Sequence, residues 1–123
     1  MKSWNWVDQK VVIALHDEQI AEHGGQSGLR EPGLLDSALA RPVNRANYEA
    51  PPIATLAAAY GFAIAKNHPF LDGNKRTALV VTELFLLLNG YILNADDASC
   101  LVTFVALADG TLTEESLSEW LSE

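Results

Sequence analysis

The first part of the chain carries apolar residues at the spacing of an amphipathic helix. Val7, Val11 and Leu15 are each four positions apart, and Gly24-Gly25 ends the pattern. Side chains four residues apart share one face of a helix, and glycine often follows a helix end. We therefore predict a first helix from about Trp6 to His23.

A second, shorter helix is bounded by two prolines. Pro32 suits the first turn of a helix, and Pro42 is expected to stop it because an interior proline lacks an N–H and clashes with the preceding turn. The apolar positions between them are Leu34, Leu35, Ala38 and Leu39. From Pro42 to Pro52 the sequence shows little periodicity, so we predict a loop or a small hairpin there.

The two most apolar segments predict helices at the centre of the molecule. Ile53 to Asn67 is rich in alanine, and His68-Pro69 ends it because the residue before a proline disfavours the helical conformation. The fourth helix is predicted to start near Asn74 and to end at Asn89-Gly90, a pair suited to a left-handed C-cap.

Two more helices are predicted in the last third of the chain. Asn94 is expected to cap the fifth helix, which Gly110 ends, and Thr113 to cap the sixth. The predicted fold class is all-α, a compact bundle of about six helices with one small loop or hairpin. Residues 1–123 are expected to form a single domain.

Composition is that of an ordinary globular protein. Apolar types make up 49% of the 123 residues and charged types 20%, which argues against disorder.

The longest mostly apolar stretch, Ala78 to Leu88, is shorter than the roughly 20 residues of a membrane span. Met1 is followed by Lys2 and tryptophans, so we predict no secretory signal and a cytoplasmic location. Cys100 lies in an apolar context typical of core packing.

Charge is distributed unevenly along the chain. The formal net charge is −8, and all eight basic residues lie within positions 1–76. We expect no direct binding to nucleic acid, because affinity for a phosphate backbone comes largely from Lys and Arg. Lys66, Lys75 and Arg76 nevertheless surround His68, where they form either a solvated surface group or a local anion site.

A polar loop between the two most apolar helices carries residue types with complementary chemistry. A helix N-terminus presents unpaired N–H groups that bind phosphate, and the residues at this one are Gly73, Asn74, Lys75 and Arg76. Asp72 offers an oxygen ligand for Mg²⁺. His68 is a candidate general base, because histidine accepts protons near neutral pH.

Each of these residues also has a plain structural interpretation. His68 could be a helix cap or a surface residue, and Asp72 could serve only as the N-cap of the fourth helix. We interpret Phe70 as a purely structural residue that fixes the loop to the core. Spacing alone leaves the catalytic and structural interpretations about equal.

The stretch from His68 to Ala78, HPFLDGNKRTA, resembles the signature of the Fic/Doc family, H-P-F-x-[D/E]-G-N-x-R. ALHD at Ala14–Asp17, the Gly-Gly pair at 24–25 and GLREPGLLDSALARP at Gly28–Pro42 are similar to its Doc (death-on-curing) toxin branch. The resemblance implies a small helical bundle that transfers part of a nucleotide to a protein hydroxyl. It implies His68 as the base, Asp72 on Mg²⁺, and Asn74 with Arg76 on phosphates.

The resemblance also implies a flap that aligns the target peptide beside the histidine. In this sequence the flap corresponds to the segment from Pro42 to Pro52. The residues expected to bind the target are Pro42, Val43, Asn44, Arg45, Ala46, Asn47 and Tyr48.

Two departures from the AMP-transferring Fic pattern, H-P-F-x-[D/E]-G-N-G-R-x-x-R, bear on the reaction. Lys75 replaces its second glycine and Leu79 its last arginine, and Doc-type toxins share the Asn-Lys-Arg variant. The resemblance then implies a kinase-like toxin that transfers the terminal phosphoryl of ATP, or of another nucleoside triphosphate, to a Ser or Thr hydroxyl. By analogy the target is elongation factor Tu, and translation stops. An AMP-transferring enzyme and a non-catalytic nucleotide- or partner-binding module remain alternatives.

A partner protein is implied as well. In Doc-type systems a Phd-like antitoxin segment folds as a helix in an apolar groove of the toxin. Residues 77–123 hold eight acidic side chains and no basic one, so we expect that segment to carry lysine or arginine.

Overall fold

The computed structural model describes residues 3–122, most of which lie in six α-helices. These are α1 (Gln9–His23), α2 (Pro32–Tyr48), α3 (Ile53–Asn67), α4 (Asn74–Leu88), α5 (Asp97–Asp109) and α6 (Glu114–Leu121). Over this range the only extended pairing is an isolated bridge between Leu29 and Phe70, so the all-α prediction is confirmed. Met1, Lys2 and Glu123, including the start on which the signal-peptide prediction rests, lie outside the described residues.

Helices α3 and α4 form the centre of the molecule, with the bounds that the sequence predicts. Most of α3 is buried, and a Cβ on Gly61 would lie 2.8 Å from Thr82 Oγ1 of α4 and 3.0 Å from the Phe104 ring of α5. The alanines and this glycine therefore let the neighbouring helices approach α3 closely. At the end of α4 the left-handed residue is Gly90, with φ 89°.

Helix α1 starts three residues later than predicted. Trp6 and Val7 precede the helix and pack across the central helices, with the Trp6 ring stacked on Phe85 at 5.7 Å between centroids. The Val7 N–H donates to the Tyr60 hydroxyl at 3.0 Å, and burial raises the pKa of Tyr60 to about 12. These tertiary contacts explain why Trp6 and Val7 are not part of α1.

The prediction that Pro42 ends α2 and begins a loop or hairpin is wrong. Helix α2 continues to Tyr48 with Pro42 buried inside it, and only residues 49–52 are non-helical before α3. An interior proline costs about 3 kcal/mol. Packing offsets this cost: Leu35, Ala38 and Pro42 are buried, and arginines of α2 on either side of Pro42 bind Glu114 of α6.

The last two helices follow the predicted order with one shifted boundary. Asp96, not Asn94, caps α5, because its carboxylate accepts the Ser99 N–H at 2.7 Å. As predicted, Gly110 ends α5 and Thr113 caps α6. Cys100 is buried, and burial together with the nearby Glu83 carboxylate raises the pKa of its thiol, in agreement with a core role.

No helix within residues 3–122 combines the length and the apolar character needed to cross a membrane.

Candidate active site

A cleft of about 370 Å³ opens between the C-terminal end of α1, the start of α4 and one face of α5. We call residues 68–73, which connect α3 to α4, the motif loop. All six residues predicted to carry the chemistry line the cleft: His68, Asp72, Gly73, Asn74, Lys75 and Arg76. The structure therefore brings the candidate base, metal ligand and anion site together.

His68 has the strained backbone of the site. Its φ of 54° and ψ of 55° make it the one non-glycine residue with positive φ in the described part of the chain. Such a conformation costs about 1–3 kcal/mol and persists only where neighbours hold it. Arg30 is that neighbour: its Nε donates to the His68 carbonyl at 2.9 Å and its Nη2 to the Asn67 carbonyl at 3.0 Å.

The segment after α1 also pairs with the motif loop through its backbone. The Arg30 N–H donates to the Pro69 carbonyl at 2.7 Å, and the Leu71 N–H donates to the Gly28 carbonyl at 3.0 Å. The loop is thus hydrogen-bonded on both sides of Phe70 to residues some forty positions earlier in the chain.

Phe70 is structural, as its sequence context predicts. It is 1% exposed and stacks on the buried imidazole of His16, with ring centroids 3.8 Å apart. The His16 Nε2 donates to the carbonyl of Asp72 at 2.7 Å. A helix α1 side chain therefore fixes both ends of the short turn that presents the Asp72 carboxylate.

Asn74 is 3% exposed and its side chain faces the motif loop. Its Oδ1 accepts the Phe70 N–H at 3.0 Å, and its Nδ2 donates to the Phe70 carbonyl at 3.0 Å and to His68 Nδ1 at 3.1 Å. Both amide hydrogens are therefore engaged within the protein. The side chain that the family resemblance assigns to phosphate holds, in this structure, the ring of the candidate base.

Asp72 does not cap α4, so that structural interpretation is wrong. The N-cap is Gly73, with φ 76°, and Asp72 Oδ1 accepts the N–H of Gly73 at 2.9 Å. Gly25 lies against the other carboxylate oxygen, because a Cβ at that position would be 2.8 Å from Oδ2. Because Gly25 has no side chain, there is room beside it for the exposed carboxylate of Asp72.

The cleft offers few protein ligands for a metal ion. Within residues 3–122 there is no group of three His, Cys, Asp or Glu side chains that could hold a metal, and Asp72 is a single carboxylate beside an anion site. Mg²⁺ commonly binds one or two carboxylates together with substrate phosphates and water. The residues present suit Mg²⁺ arriving with a nucleotide rather than an all-protein metal centre.

The start of α4 has the properties of an anion site. The first turn of the helix closes with the Thr77 N–H on the Gly73 carbonyl, and no residue among 3–122 accepts from the N–H groups of Asn74, Lys75 and Arg76. Neither Lys75 nor Arg76 forms an ion pair within that range. Three amides and two unpaired cations converge on the cleft, whereas Lys66 does not line it.

The seven residues predicted to bind a target peptide lie on α2, and none of them lines the His68 cleft. Pro42 is buried, and Arg45 is bound to Glu114 at 3.2 Å and to Glu49 at 3.0 Å. Ala46, Asn47 and Tyr48 instead face a larger groove of about 800 Å³, whose other walls include Trp4 and Trp6. The target-binding role of this segment stays a prediction.

Sequence reasoning missed the residues that position the site from a distance. Arg30, His16 and Gly25 fall in segments noted for the first helix and its end or for their resemblance to Doc-type toxins. No local pattern shows that they reach the motif loop. Leu101 and Val105 of α5 give the cleft an apolar wall, and their helical spacing could have indicated a shared face.

Comparison with known proteins identifies the family of the chain. The sequence model of the Fic/DOC family matches residues 6–86. The chain is 33% identical over 117 residues to a protein named protein kinase doc from Escherichia phage P1, covering 94% of this chain and 91% of that protein. It is 44% identical over 75 residues to a protein named toxin Doc from Mycolicibacterium smegmatis, covering 59% of this chain and 58% of that protein. The chain belongs to the Fic/DOC family, and its resemblance to Doc-type toxins is confirmed.

Proposed function

We propose that this Fic/Doc toxin transfers the terminal phosphoryl group of ATP, or of another nucleoside triphosphate, to a Ser or Thr hydroxyl of a cellular protein. The observation that carries the proposal is the convergence of His68, Asp72 and Lys75 on one cleft at the N-terminus of α4. The name protein kinase given to the phage relative supports phosphoryl transfer. By analogy with the family, the target is elongation factor Tu, and the reaction arrests translation in the cytoplasm.

Different residues of the cleft have different roles in the proposed reaction. The free N–H groups at the start of α4, with Lys75 and Arg76, bind the phosphates and neutralise the charge that develops on them. The target hydroxyl oxygen bonds to the γ-phosphorus as the bond to the β–γ bridging oxygen breaks, and ADP leaves. The hydroxyl proton goes to His68 Nε2, because Nδ1 is the ring nitrogen that faces Asn74 rather than the target.

Asp72 would hold Mg²⁺, which supplies charge neutralisation on the phosphates when it is bound. The carboxylate is ready for that role because its position is fixed on three sides: Gly73 donates to it, Gly25 packs against it, and His16 holds its backbone. A preformed ligand lowers the ordering cost of binding the metal and nucleotide together.

Two positions favour phosphoryl transfer over AMP transfer. Lys75 puts a long, exposed cation where the AMP-transferring pattern has a glycine, so a phosphate cannot press against the backbone there in the same way. Leu79 is packed against the core and supplies no guanidinium for a terminal phosphate. We propose that the donor therefore binds with its γ-phosphate, rather than its α-phosphate, beside His68.

We further propose that a Phd-like antitoxin inhibits the toxin by folding as a helix in an apolar groove. The names of both relatives place this chain among Doc proteins, and one is named a toxin. The acidic C-terminal half favours a basic partner segment.

Transfer of label from γ-labelled ATP to purified elongation factor Tu tests this function. The wild-type chain should label the target, and His68→Ala should lose nearly all labelling while keeping its helical circular dichroism. Asp72→Asn should lose Mg²⁺-dependent labelling. Label transfer by His68→Ala at the wild-type rate, or none by a folded wild-type chain with Mg²⁺ and either this target or a cell lysate, would contradict the proposal.

A further inference from the structure

The side chain of Asn74 has one possible orientation, because the backbone of Phe70 determines it. The Phe70 N–H can only donate, so the atom facing it must be Oδ1, and the Phe70 carbonyl can only accept, so the atom facing it must be Nδ2. Exchanging the two atoms would set two donors against each other and two acceptors against each other. Asn74 is 3% exposed, so no water compensates for such a mismatch.

This orientation decides where neutral His68 carries its proton. The second hydrogen of Asn74 Nδ2 points to His68 Nδ1 at 3.1 Å. A ring nitrogen that accepts a hydrogen bond is unprotonated, and neutral imidazole holds its one proton on the other nitrogen. With the Asn74 bond in place, neutral His68 therefore has its proton on Nε2.

A ring in that form is a hydrogen-bond donor towards the cleft. It can donate from Nε2 to an oxygen, but it cannot accept the proton of a target hydroxyl there. Acceptance at Nε2 requires the other tautomer, with the proton on Nδ1, and a protonated Nδ1 is incompatible with an Asn74 N–H aimed at it.

We propose that Asn74 is a positioning residue that keeps the resting site inactive by fixing His68 in the Nε2–H tautomer. Binding of the phosphate donor activates the base by giving the Asn74 N–H a competing acceptor. This inference rests on the proposed function for its second half, since a phosphate oxygen at the start of α4 is the acceptor.

The change of tautomer leaves the number of protons on His68 unchanged. When a phosphate oxygen takes the place of His68 Nδ1 in front of the Asn74 N–H, it can accept from the ring as well: His68 Nδ1 takes a proton from solvent and donates it to that oxygen, and Nε2 releases its own proton to solvent. His68 is exposed, so water reaches the ring. Asn74 keeps its bonds to Phe70, so the motif loop need not unfold.

Nitrogen-15 NMR of histidine-labelled protein tests the proposal, because it reports directly which ring nitrogen is protonated. At a pH where the ring is neutral, the resting wild-type chain should show His68 with its proton on Nε2. His16 is the internal reference, since its Nε2 donates to the Asp72 carbonyl and it should show the same form throughout. A resting His68 with its proton mainly on Nδ1 would overturn the proposal.

A second, uniformly nitrogen-15-labelled sample contains Mg²⁺ and a non-hydrolysable ATP analogue, with binding followed by the amide signals of Lys75 and Arg76. The proton of His68 should then move to Nδ1 while His16 is unchanged. An analogue that binds and leaves His68 in the Nε2–H form would overturn the activation step. If no analogue binds, the proposed function is contradicted instead. The tautomer of His68 in the resting protein still shows whether the Asn74 hydrogen bond determines where the proton lies.

Asn74→Asp provides a variant that needs no ligand. A carboxylate oxygen beside Nδ1 accepts a hydrogen bond where the amide donated one, so the proton should lie on Nδ1 already in the resting protein. An Nε2–H ring in a folded Asn74→Asp chain would show that Asn74 does not control the tautomer. The wild-type measurement stands if this variant does not fold.

Discussion

His68 depends on a side chain from another part of the chain for its backbone conformation. Arg30 donates to the carbonyls of His68 and Asn67, which lie at the C-terminal end of α3, where carbonyl groups lack helical partners. A cation is also favourable at a helix C-terminus. Arg30 is exposed, so its effect should be on the position of His68 more than on overall stability.

We expect Arg30→Ala to lower kcat about tenfold, as the loss of hydrogen bonds worth roughly 1–2 kcal/mol implies, with little change in KM for the nucleotide. Glu31→Ala is the matched control. Glu31 follows Arg30 in the chain, and its side chain makes no hydrogen bond that caps α2. In a His68→Ala background, Arg30→Ala should cause no further loss. A rise in KM with unchanged kcat would contradict a role exerted through His68.

Gly25 should matter through its contact with Asp72. A Cβ there would lie 2.8 Å from the carboxylate, so Gly25→Ala should displace the proposed metal ligand and raise the Mg²⁺ concentration for half-maximal activity about tenfold. Gly24→Ala separates this contact from backbone strain, because Gly24 also has positive φ but no atom within 4 Å of its Cβ position. Equal effects from the two variants would show that strain, not contact with Asp72, is responsible.

At the scale of helices, α2 is held to α6 by a charged cluster. Glu114 is 5% exposed at the start of α6 and binds the guanidinium groups of Arg41 and Arg45. Arg41 also lies over the Phe62 ring of α3, 5.2 Å from its centroid. This cluster joins three helices and secures the half of α2 that follows Pro42.

Glu114→Gln should lower the free energy of unfolding by about 1–3 kcal/mol, because it removes a buried charge partner while leaving two arginines in place. Glu115→Gln, one residue later and exposed, should change it by less than about 0.5 kcal/mol. Urea unfolding followed by circular dichroism measures both. Similar midpoints for the two variants would show that the cluster does not stabilise α2.

The same helices show what the sequence could and could not predict. The bounds of α3 and α4 follow from local signals, namely alanine-rich periodicity, His68-Pro69 and Asn89-Gly90. The continuation of α2 past Pro42 does not, because it depends on Glu114, which lies more than seventy residues away. Likewise the motif predicts which residues line the cleft, whereas Arg30 and His16 reach it only through tertiary structure.

At the scale of the whole molecule, acidic and exposed apolar residues occur in the same half of the chain. All eight basic residues precede position 77. Among the large apolar side chains after it, Leu87 is 61% exposed, Ile92 82% and Val102 70%. A partner segment that is both apolar and basic complements this composition.

We expect a basic antitoxin segment to associate with the chain at a rate that falls steeply with salt, while the dissociation rate changes little. Charge steers the encounter of two proteins, and salt screens it, whereas apolar contacts hold the complex once formed. Stopped-flow mixing at several ionic strengths measures both rates. An association rate independent of salt would contradict a charge-steered encounter.

The identity of the transferred group tests the central claim most directly. Intact mass spectrometry of the target after reaction with the wild-type chain, ATP and Mg²⁺ should show a gain equal to one phosphoryl group, carried on a Ser or Thr. A gain equal to one AMP would show that the α-phosphate lies beside His68 and that Lys75 does not set the position of the donor.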